Sequence, residues 1–365
     1  MKKIVKQVFG VDVAQNELVG SLGRSFDDCT TEIYARSKFP NNAKGFGQLV
    51  SWVQKNSDPA VSVIYVMEAT GVYHESFAYF LAERTLKVAI VLPNKIANYM
   101  RSLTIKTVND QTAANGICQF GLERQLDYWE QPDPTYRQMK QLTRERDQIV
   151  DERTMCKNQL HAEKSGAFPN SRSIKRLQER IKLLDKHVAQ IASELKTLVS
   201  GNDKITEDVR LLCTIPGLGH LTACTILAET NGFELIRNKK QLTSYAGLDI
   251  REKQSGTSIK GKPRISKRGN RFLRKALYLP ALAAIRHNLR YKAVFSRLVQ
   301  KHGIKMKGAV AVQRKLLELS YILHKTRKAF DPELFSKSAV EEGQSPEMEK
   351  GGIETPSAPL QSSLC

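Results

Sequence analysis

The sequence predicts an α/β domain at its N-terminal end, then a long helical connector, then a mostly α-helical and strongly basic C-terminal domain. Three observations carry that expectation. Runs rich in β-branched residues alternate with helically spaced segments across residues 4–125. Residues 134–200 are charged, poor in glycine, and repeat apolar side chains at intervals of three and four. Positive charge gathers late: the chain carries a formal net charge of +20, and residues 251–330 hold 22 Lys or Arg against two acids, Glu252 and Glu318. With 365 residues, the chain exceeds the roughly 250–300 residues that one core sustains. The expected divisions are residues 1–130, 131–204 and 205–330, with a tail at 331–365.

In order, IVKQVFGVD at residues 4–12 reads as a strand ending on an acid. ELVGSLG follows AQN with hairpin spacing, and TEIYARSKF offers a third strand. Phe46, Leu49, Val50 and Val53 recur at helical spacing between Asn42 and Lys55. VSVIYVMEATG is a continuous apolar run of the kind that fills a sheet buried on both faces, and it too ends on an acid, Glu68. His74–Arg84 reads as helix and Leu86–Leu92 as buried strand, and Pro93 opens a helix at its first position. The order β-β-β-α-β-α-β-α is that of an RNase H-like, or RuvC-like, α/β domain. A doubly wound nucleotide-binding sheet has similar spacing, but no glycine-rich phosphate loop follows the first strand.

The connector has two arms, broken at SGAFPNSRS around Pro169. The second carries Ile174, Leu177, Ile181, Leu184, Val188, Ile191, Leu195 and Leu198, the a/d seam of a helical hairpin or coiled coil. The first, Thr135–Glu163, sets Arg146 and Arg153 on its seam. Whether the seam closes on its own first arm or on another subunit stays open. Beyond it, two helical stretches flank Pro216-Gly217-Leu218-Gly219, the form of a helix-hairpin-helix. Backbone amides of such a turn, at a helix N-terminus, receive a phosphate without reading sequence; the same turn also suits a tight packing corner. FLRKALYLPALAAI and AVAVQRKLLELSYILHK read as amphipathic helices with cations on their polar faces. The Ser-, Gly-, Pro- and Glu-rich tail reads as disordered.

Several function classes drop out. MKKIVKQVFGVDV is too short and interrupted for a signal sequence, and no run approaches the roughly 18 apolar residues that span a bilayer. Cys29, Cys118, Cys156, Cys213, Cys224 and Cys365 are scattered without zinc spacing, as in a reduced, cytoplasmic protein. A pI near 9.7 points to nucleic acid.

Two features carry chemistry. Asp12 and Glu68 end two apolar strands, where neighbouring strands place both carboxylates at one sheet edge. Like charges gathered there favour a hard cation such as Mg²⁺, although each acid alone also suits a turn cap. Arg251–Lys275 is dense in Lys and Arg and sets Ser255 against Gly256. Such a segment wants a polyanion beside it.

GVDVAQ, MEATGVYHES, a Lys-Thr…Asp helix start, IPGLG, and YAGL…SGTSIKG…ISKRGN…LRKALYLPA, in that order, resemble the insertion-sequence 110 family of transposases. These are RuvC-like DEDD recombinases related to Piv-type DNA invertases, and the resemblance spans roughly residues 5–325. It implies a RuvC-like domain, a coiled-coil connector and a C-terminal transposase domain. It further implies a metal site for Mg²⁺ or Mn²⁺ on Asp12, Glu68 and Asp110. The family's fourth acid falls on Ala113, so one ligand is missing from the pattern. The family's nucleophilic serine falls on Ser255, with Ser258 and Ser266 nearby. The implied phosphate contacts are Gly217, Gly219, Lys260, Lys262, Arg264, Lys267, Arg268, Arg271 and Arg274. The implied partners are DNA, a structured noncoding bridge RNA, and further copies of the chain as dimer to tetramer, in the cytoplasm.

Overall fold

The computed structural model describes residues 2–69, 71–103, 109–234, 236–252, 254–255, 259–260 and 264–332. All but the first residues of the expected tail therefore lie outside the description. The chain forms two compact units, Met1–Gln131 and Pro132–Cys365.

In the first unit, β1 (Ile4–Val13), β2 (Glu17–Phe26) and β3 (Thr31–Pro40) form an antiparallel meander. There follow α1 (Ala43–Asn56), β4 (Val63–Glu68), α2 (Glu75–Ala82), β5 (Lys87–Val91), α3 (Pro93–Ser102) and α4 (Asp110–Glu123). The sheet order is β3-β2-β1-β4-β5, with β4 parallel to β1 and β5 parallel to β4. Alternation along β1 feeds two cores. Phe9 and Val11 pack with Leu22, Phe46, Leu49, Tyr65 and Phe77 on one face. Val8 packs with Val66, Ala89, Ile117 and Leu122 on the other.

Helix α4 lies on that second face because β1 yields to it. A Cβ built at Gly10 stands 2.2 Å from the backbone nitrogen of Cys118, so only glycine admits the helix this closely. Its start is fixed by a reciprocal capping box. Thr112 N donates to Asn109 Oδ1 at 2.9 Å, and Asn109 N donates to Thr112 Oγ1 at 2.7 Å.

In the second unit, α5 (Pro134–Ser165) and α6 (Ser171–Ser200) pair as a hairpin. They lead to α7 (Asp203–Cys213), α8 (His220–Thr230) and α9 (Lys239–Tyr245). Four two-residue strands follow, β6 (Ile250–Arg251), β7 (Gln254–Ser255), β8 (Ile259–Lys260) and β9 (Arg264–Ile265). The unit ends with α10 (Arg271–Ala276), α11 (Tyr278–His287), α12 (Leu289–His302) and α13 (Lys305–Thr326). The seam of α6 is covered within the same chain. Leu184, Ile191 and Leu195 are buried, whereas Ile174, Leu177 and Ile181 nearer the tip are half-buried. Tyr136 and Met139 of α5 share one core with Leu212, Leu227, Phe233, Leu273, Tyr291 and Leu316.

Two details differ from expectation. FLRKALYLPALAAI is not one helix but breaks at Leu277. Pro280 has no N–H to return to the Ala276 carbonyl, so the first segment cannot propagate through it. Helix α12 escapes notice in the sequence because it buries so little, Tyr291 above all. Among the described residues no helix is long and apolar enough to cross a membrane.

Candidate active site

Asp12 lies next to the end of β1, and Glu68 ends β4. Val11 pairs with Met67 across these parallel strands. The next step sets Asp12 beside Glu68 with both side chains on one face. It is the face that carries α4, because Gly10, two residues before Asp12, meets Cys118 there. Asp110 is the first residue of α4 and is exposed.

The Asp12 carboxyl is held above its ordinary range. Burial is the largest cause, followed by the negative charges of Asp110 and Glu68, with Glu17 contributing least. A hydrogen bond involving the Val13 backbone opposes the shift. The three sequence-predicted acids thus gather within electrostatic reach. Among the described residues, however, no three His, Cys, Asp or Glu side chains stand close enough to hold a metal ion directly. Ala113, partly exposed, lies one turn beyond Asp110.

A polar network that sequence reasoning missed supports this edge. Gly10, Ser21 and Arg36 sit side by side across β1, β2 and β3. Asn115 Oδ1 accepts from Ser21 Oγ at 2.7 Å, from Arg36 Nε at 3.2 Å and from Gln111 Nε2 at 3.3 Å. Gln111 Nε2 also donates to Ser21 Oγ at 2.9 Å. The first turn of α4, with Asp110, is thereby tied to two strands. Asn41 straps the neighbouring loops, donating to the carbonyls of Ala14 at 2.8 Å and Tyr73 at 3.2 Å. Ser21 is wholly buried, so its hydroxyl needs these partners.

Ser255 belongs to the second unit, on β7, paired with Ile259 of β8. Gly256, Ser258 and Lys262 lie outside the described residues, as do the side chains of Ser255 and Lys260. The neck of the loop is well defined. Ile250 pairs with Ile265, Ser266 donates its hydroxyl to Asp249 Oδ1, and Lys267 N donates to the Gly247 carbonyl at 3.1 Å. At Gly269 (φ 156°), a Cβ stands 2.4 Å from the Tyr245 carbonyl oxygen, so the two sides of the neck touch through glycine. The Ser266 hydroxyl is engaged here.

Arg264, Lys267, Arg268 and Arg271 are exposed. Arg274 differs from them: its Nη1 donates to the carbonyls of Ala246 at 2.7 Å and Gly269 at 3.2 Å. Burial lowers its pKa. It braces the neck. The two turn glycines also part company. Gly217 (φ 87°) packs against α11, where a Cβ lies 2.7 Å from the Pro280 carbonyl oxygen. Gly219 N-caps α8 without a side-chain cap and has nothing within 4 Å of a built Cβ.

A transposase family model of the DEDD type matches residues 9–169. A second model, described as transposase IS116/IS110/IS902 family, matches residues 209–296. The pilin gene-inverting protein of Moraxella lacunata is 28% identical over 329 residues, covering 89% of this chain and 98% of that protein. The transposase for insertion sequence element IS1111A of Coxiella burnetii is 24% identical over 310 residues, covering 77% and 78%. The first model spans the acids and the first arm of the hairpin, the second spans the serine loop, and this chain belongs to the IS110 family of transposases.

Proposed function

We propose that this chain is a DNA recombinase that cuts and rejoins strands to excise and insert a mobile element, with Ser255 as the attacking group. The observation that carries the reading is that Asp12 and Glu68, near the ends of adjacent strands, and Asp110, at the start of α4, lie within electrostatic reach in a member of a transposase family. The sheet order, three antiparallel strands followed by two parallel ones, supports an RNase H-like, RuvC-like identity for the first unit. The relatives' names, gene inversion and transposition, share the breaking and rejoining of DNA.

The donor set is entirely carboxylate oxygen, and burial, then the charges of Asp110 and Glu68, raise the Asp12 carboxyl. Both suit Mg²⁺ or Mn²⁺ held by Asp12, Glu68 and Asp110. Mg²⁺ keeps several of its waters, which accommodates Ala113 in the fourth position and carboxylates short of ligand spacing. When bound, the ion stabilises charge on the phosphate oxygens.

The Ser255 hydroxyl, a weak nucleophile by itself, loses its proton to a base and attacks the scissile phosphorus. A serine–phosphate bond forms, the bridging P–O bond to the sugar breaks, and the released sugar oxygen takes up a proton. Attack by a sugar hydroxyl of the second strand reverses the exchange and restores Ser255. Arg264, Lys267, Arg268 and Arg271, with Lys260 and Lys262, hold phosphates, and the Gly219 turn offers uncapped amides to another. Backbone contacts carry affinity without reading sequence, which leaves sequence choice to a pairing bridge RNA. The chain acts on DNA as a homo-oligomer in the cytoplasm.

The test is cleavage of a cognate DNA junction, with the RNA present, by wild type and Ser255→Ala. A covalent protein–DNA adduct lost in the variant supports the reading. Cleavage that persists in the variant without an adduct replaces it with a nuclease that uses metal-activated water. Ala113 motivates a second reading, a weakened relic. Absence of cleavage, restored by Ala113→Asp, favours that one.

A further inference from the structure

We infer that Glu229 is the positioning residue for the serine-bearing loop, acting through Asn270 and Tyr245. The inference rests on the assignment of Ser255 as nucleophile. Glu229 lies on α8, its side chain wholly inaccessible. Its carboxylate accepts from Asn270 Nδ2 at 2.7 Å, and its backbone carbonyl accepts from the Tyr245 hydroxyl at 2.9 Å. Those two residues are the ends of the loop, and Asn270 N donates to the Tyr245 carbonyl at 2.7 Å. Both ends are therefore bonded to each other and to one buried acid.

The charge of that acid is met from the hairpin. Arg144 of α5 forms a paired contact, Nε to Oε1 at 2.7 Å and Nη2 to Oε2 at 2.9 Å. The same guanidinium lies 4.4 Å from the centroid of the Phe272 ring. Further along α5, Asp147 and Asp151 hold Lys275 at 3.3 and 2.9 Å. Arg144, Asp147 and Asp151 fall at helical spacing on one face, so that face grips the chain just after the loop. Burying a carboxylate, even against a partly exposed guanidinium, is a costly way to gain stability, because apolar packing does as well. What it supplies is a fixed geometry for the carboxylate that Asn270 meets, while the Tyr245 hydroxyl is held by the Glu229 backbone carbonyl.

The loop needs that supply. Between its ends the described residues form the two-residue ladders β6–β9 and β7–β8. In-line attack requires the nucleophile to be aimed closely, and a displacement of about 1 Å costs on the order of 100-fold in rate. Asn270 is the joint: Oδ1 caps α10 by accepting from Phe272 N at 2.9 Å and Leu273 N at 3.2 Å, while Nδ2 reaches Glu229.

This division of labour gives a clean test. Asn270→Ser keeps an N-cap oxygen and removes the bond to Glu229. Single-turnover formation of the serine–DNA adduct at saturating junction DNA is compared among wild type, Asn270→Ser, Glu229→Gln and Ser255→Ala. DNA affinity and melting temperature are measured alongside. Asn270→Ser is expected to lose about 10–100-fold in adduct rate with affinity within about two-fold of wild type. Glu229→Gln, which keeps an acceptor oxygen, is expected to fall between the two. A wild-type adduct rate in Asn270→Ser overturns the inference. A rate loss matched by equal losses of affinity and melting temperature overturns it too, because the bond is then only structural. If Ser255→Ala still forms the adduct, the nucleophile assignment itself fails and takes this inference with it.

Discussion

The carboxylate edge of the first unit and the serine loop of the second are built on opposite plans. The acids come from positions 12, 68 and 110, far apart in sequence, and each stands at the end of a rigid element. Ser255 stands on the two-residue strand β7, and among the described residues the hydrogen bonds around it include those of the neck. The difference teaches where each site is vulnerable. The sheet holds its acids by packing, so under the proposed reading a changed acid removes chemistry and leaves the fold. Under the proposed reading the loop is aimed by hydrogen bonds outside it, such as that of Asn270 to Glu229.

The largest expected effect lies at Asp12. Asp12→Asn should reduce metal-dependent cleavage by at least about 1,000-fold, since charge stabilisation by a bound ion amounts to several kcal/mol. Junction affinity should be preserved. Stability should move the other way. The folded carboxyl sits above its unfolded pKa, so the folded state binds the extra proton and deprotonation costs stability. That cost is absent below the unfolded value of 3.8 and grows as pH rises through the raised folded value. In EDTA at neutral pH, Asp12→Asn should therefore melt roughly 2 °C higher than wild type, and the gain should shrink on acidification. A variant that cleaves normally, or that melts lower in EDTA, breaks the claim that the acids form a strained, cation-seeking edge.

Next comes Gly10→Ala. Its Cβ would meet the Cys118 backbone at 2.2 Å, so α4 must move and Asp110 with it. Overpacking of this kind costs about 1–3 kcal/mol, and single-turnover cleavage should fall about 10–100-fold. If melting drops while cleavage holds, Asp110 is no part of the site.

The two plans were unequally legible. Strand-ending acids announced themselves, because an Asp or Glu closing an apolar run is conspicuous, and Asp12 and Glu68 could be paired before any coordinates. Asp110, and the nucleophile role of Ser255, came from motif resemblance, although the basic stretch by itself singles out Ser255. Nothing local marks a helix-opening Asp as facing a particular strand. The seat of α4 on Gly10, the Ser21–Asn115 network and the Glu229–Arg144 pair were not legible. Each depends on which residues meet across long sequence separations, and periodicity carries no such information. The Pro280 break was legible in principle, since a proline four residues after Ala276 must interrupt the helix.

Ala113→Asp sharpens the comparison from the side of the acids. The new carboxylate stands three residues along α4 from Asp110, on the same face. An added charged ligand should lower the half-saturating Mg²⁺ concentration for cleavage about ten-fold and lower the melting temperature in EDTA. An unchanged Mg²⁺ requirement means that this position does not face the ion.

The smallest effects separate the two glycines of the α7–α8 turn, which the sequence treats as one motif. Gly217 has left-handed backbone, and its Cβ would press on the Pro280 carbonyl. Gly217→Ala should therefore destabilise by about 1–3 kcal/mol, with the remaining folded protein binding DNA as wild type does. Gly219 is open and starts α8 without a side-chain cap, so Gly219→Ala should cost only about 0.5–1 kcal/mol of cap preference. Its effect should appear on binding instead. A methyl group beside the first-turn amides hinders a phosphate seated there, so affinity should fall a few-fold. The slope of log K against log salt should lessen by at most about 1. If Gly219→Ala leaves affinity and salt slope untouched, the turn is a packing corner at both glycines. DNA contact then rests on Arg264, Lys267, Arg268 and Arg271, each of which should reduce the slope by about 1 when neutralised.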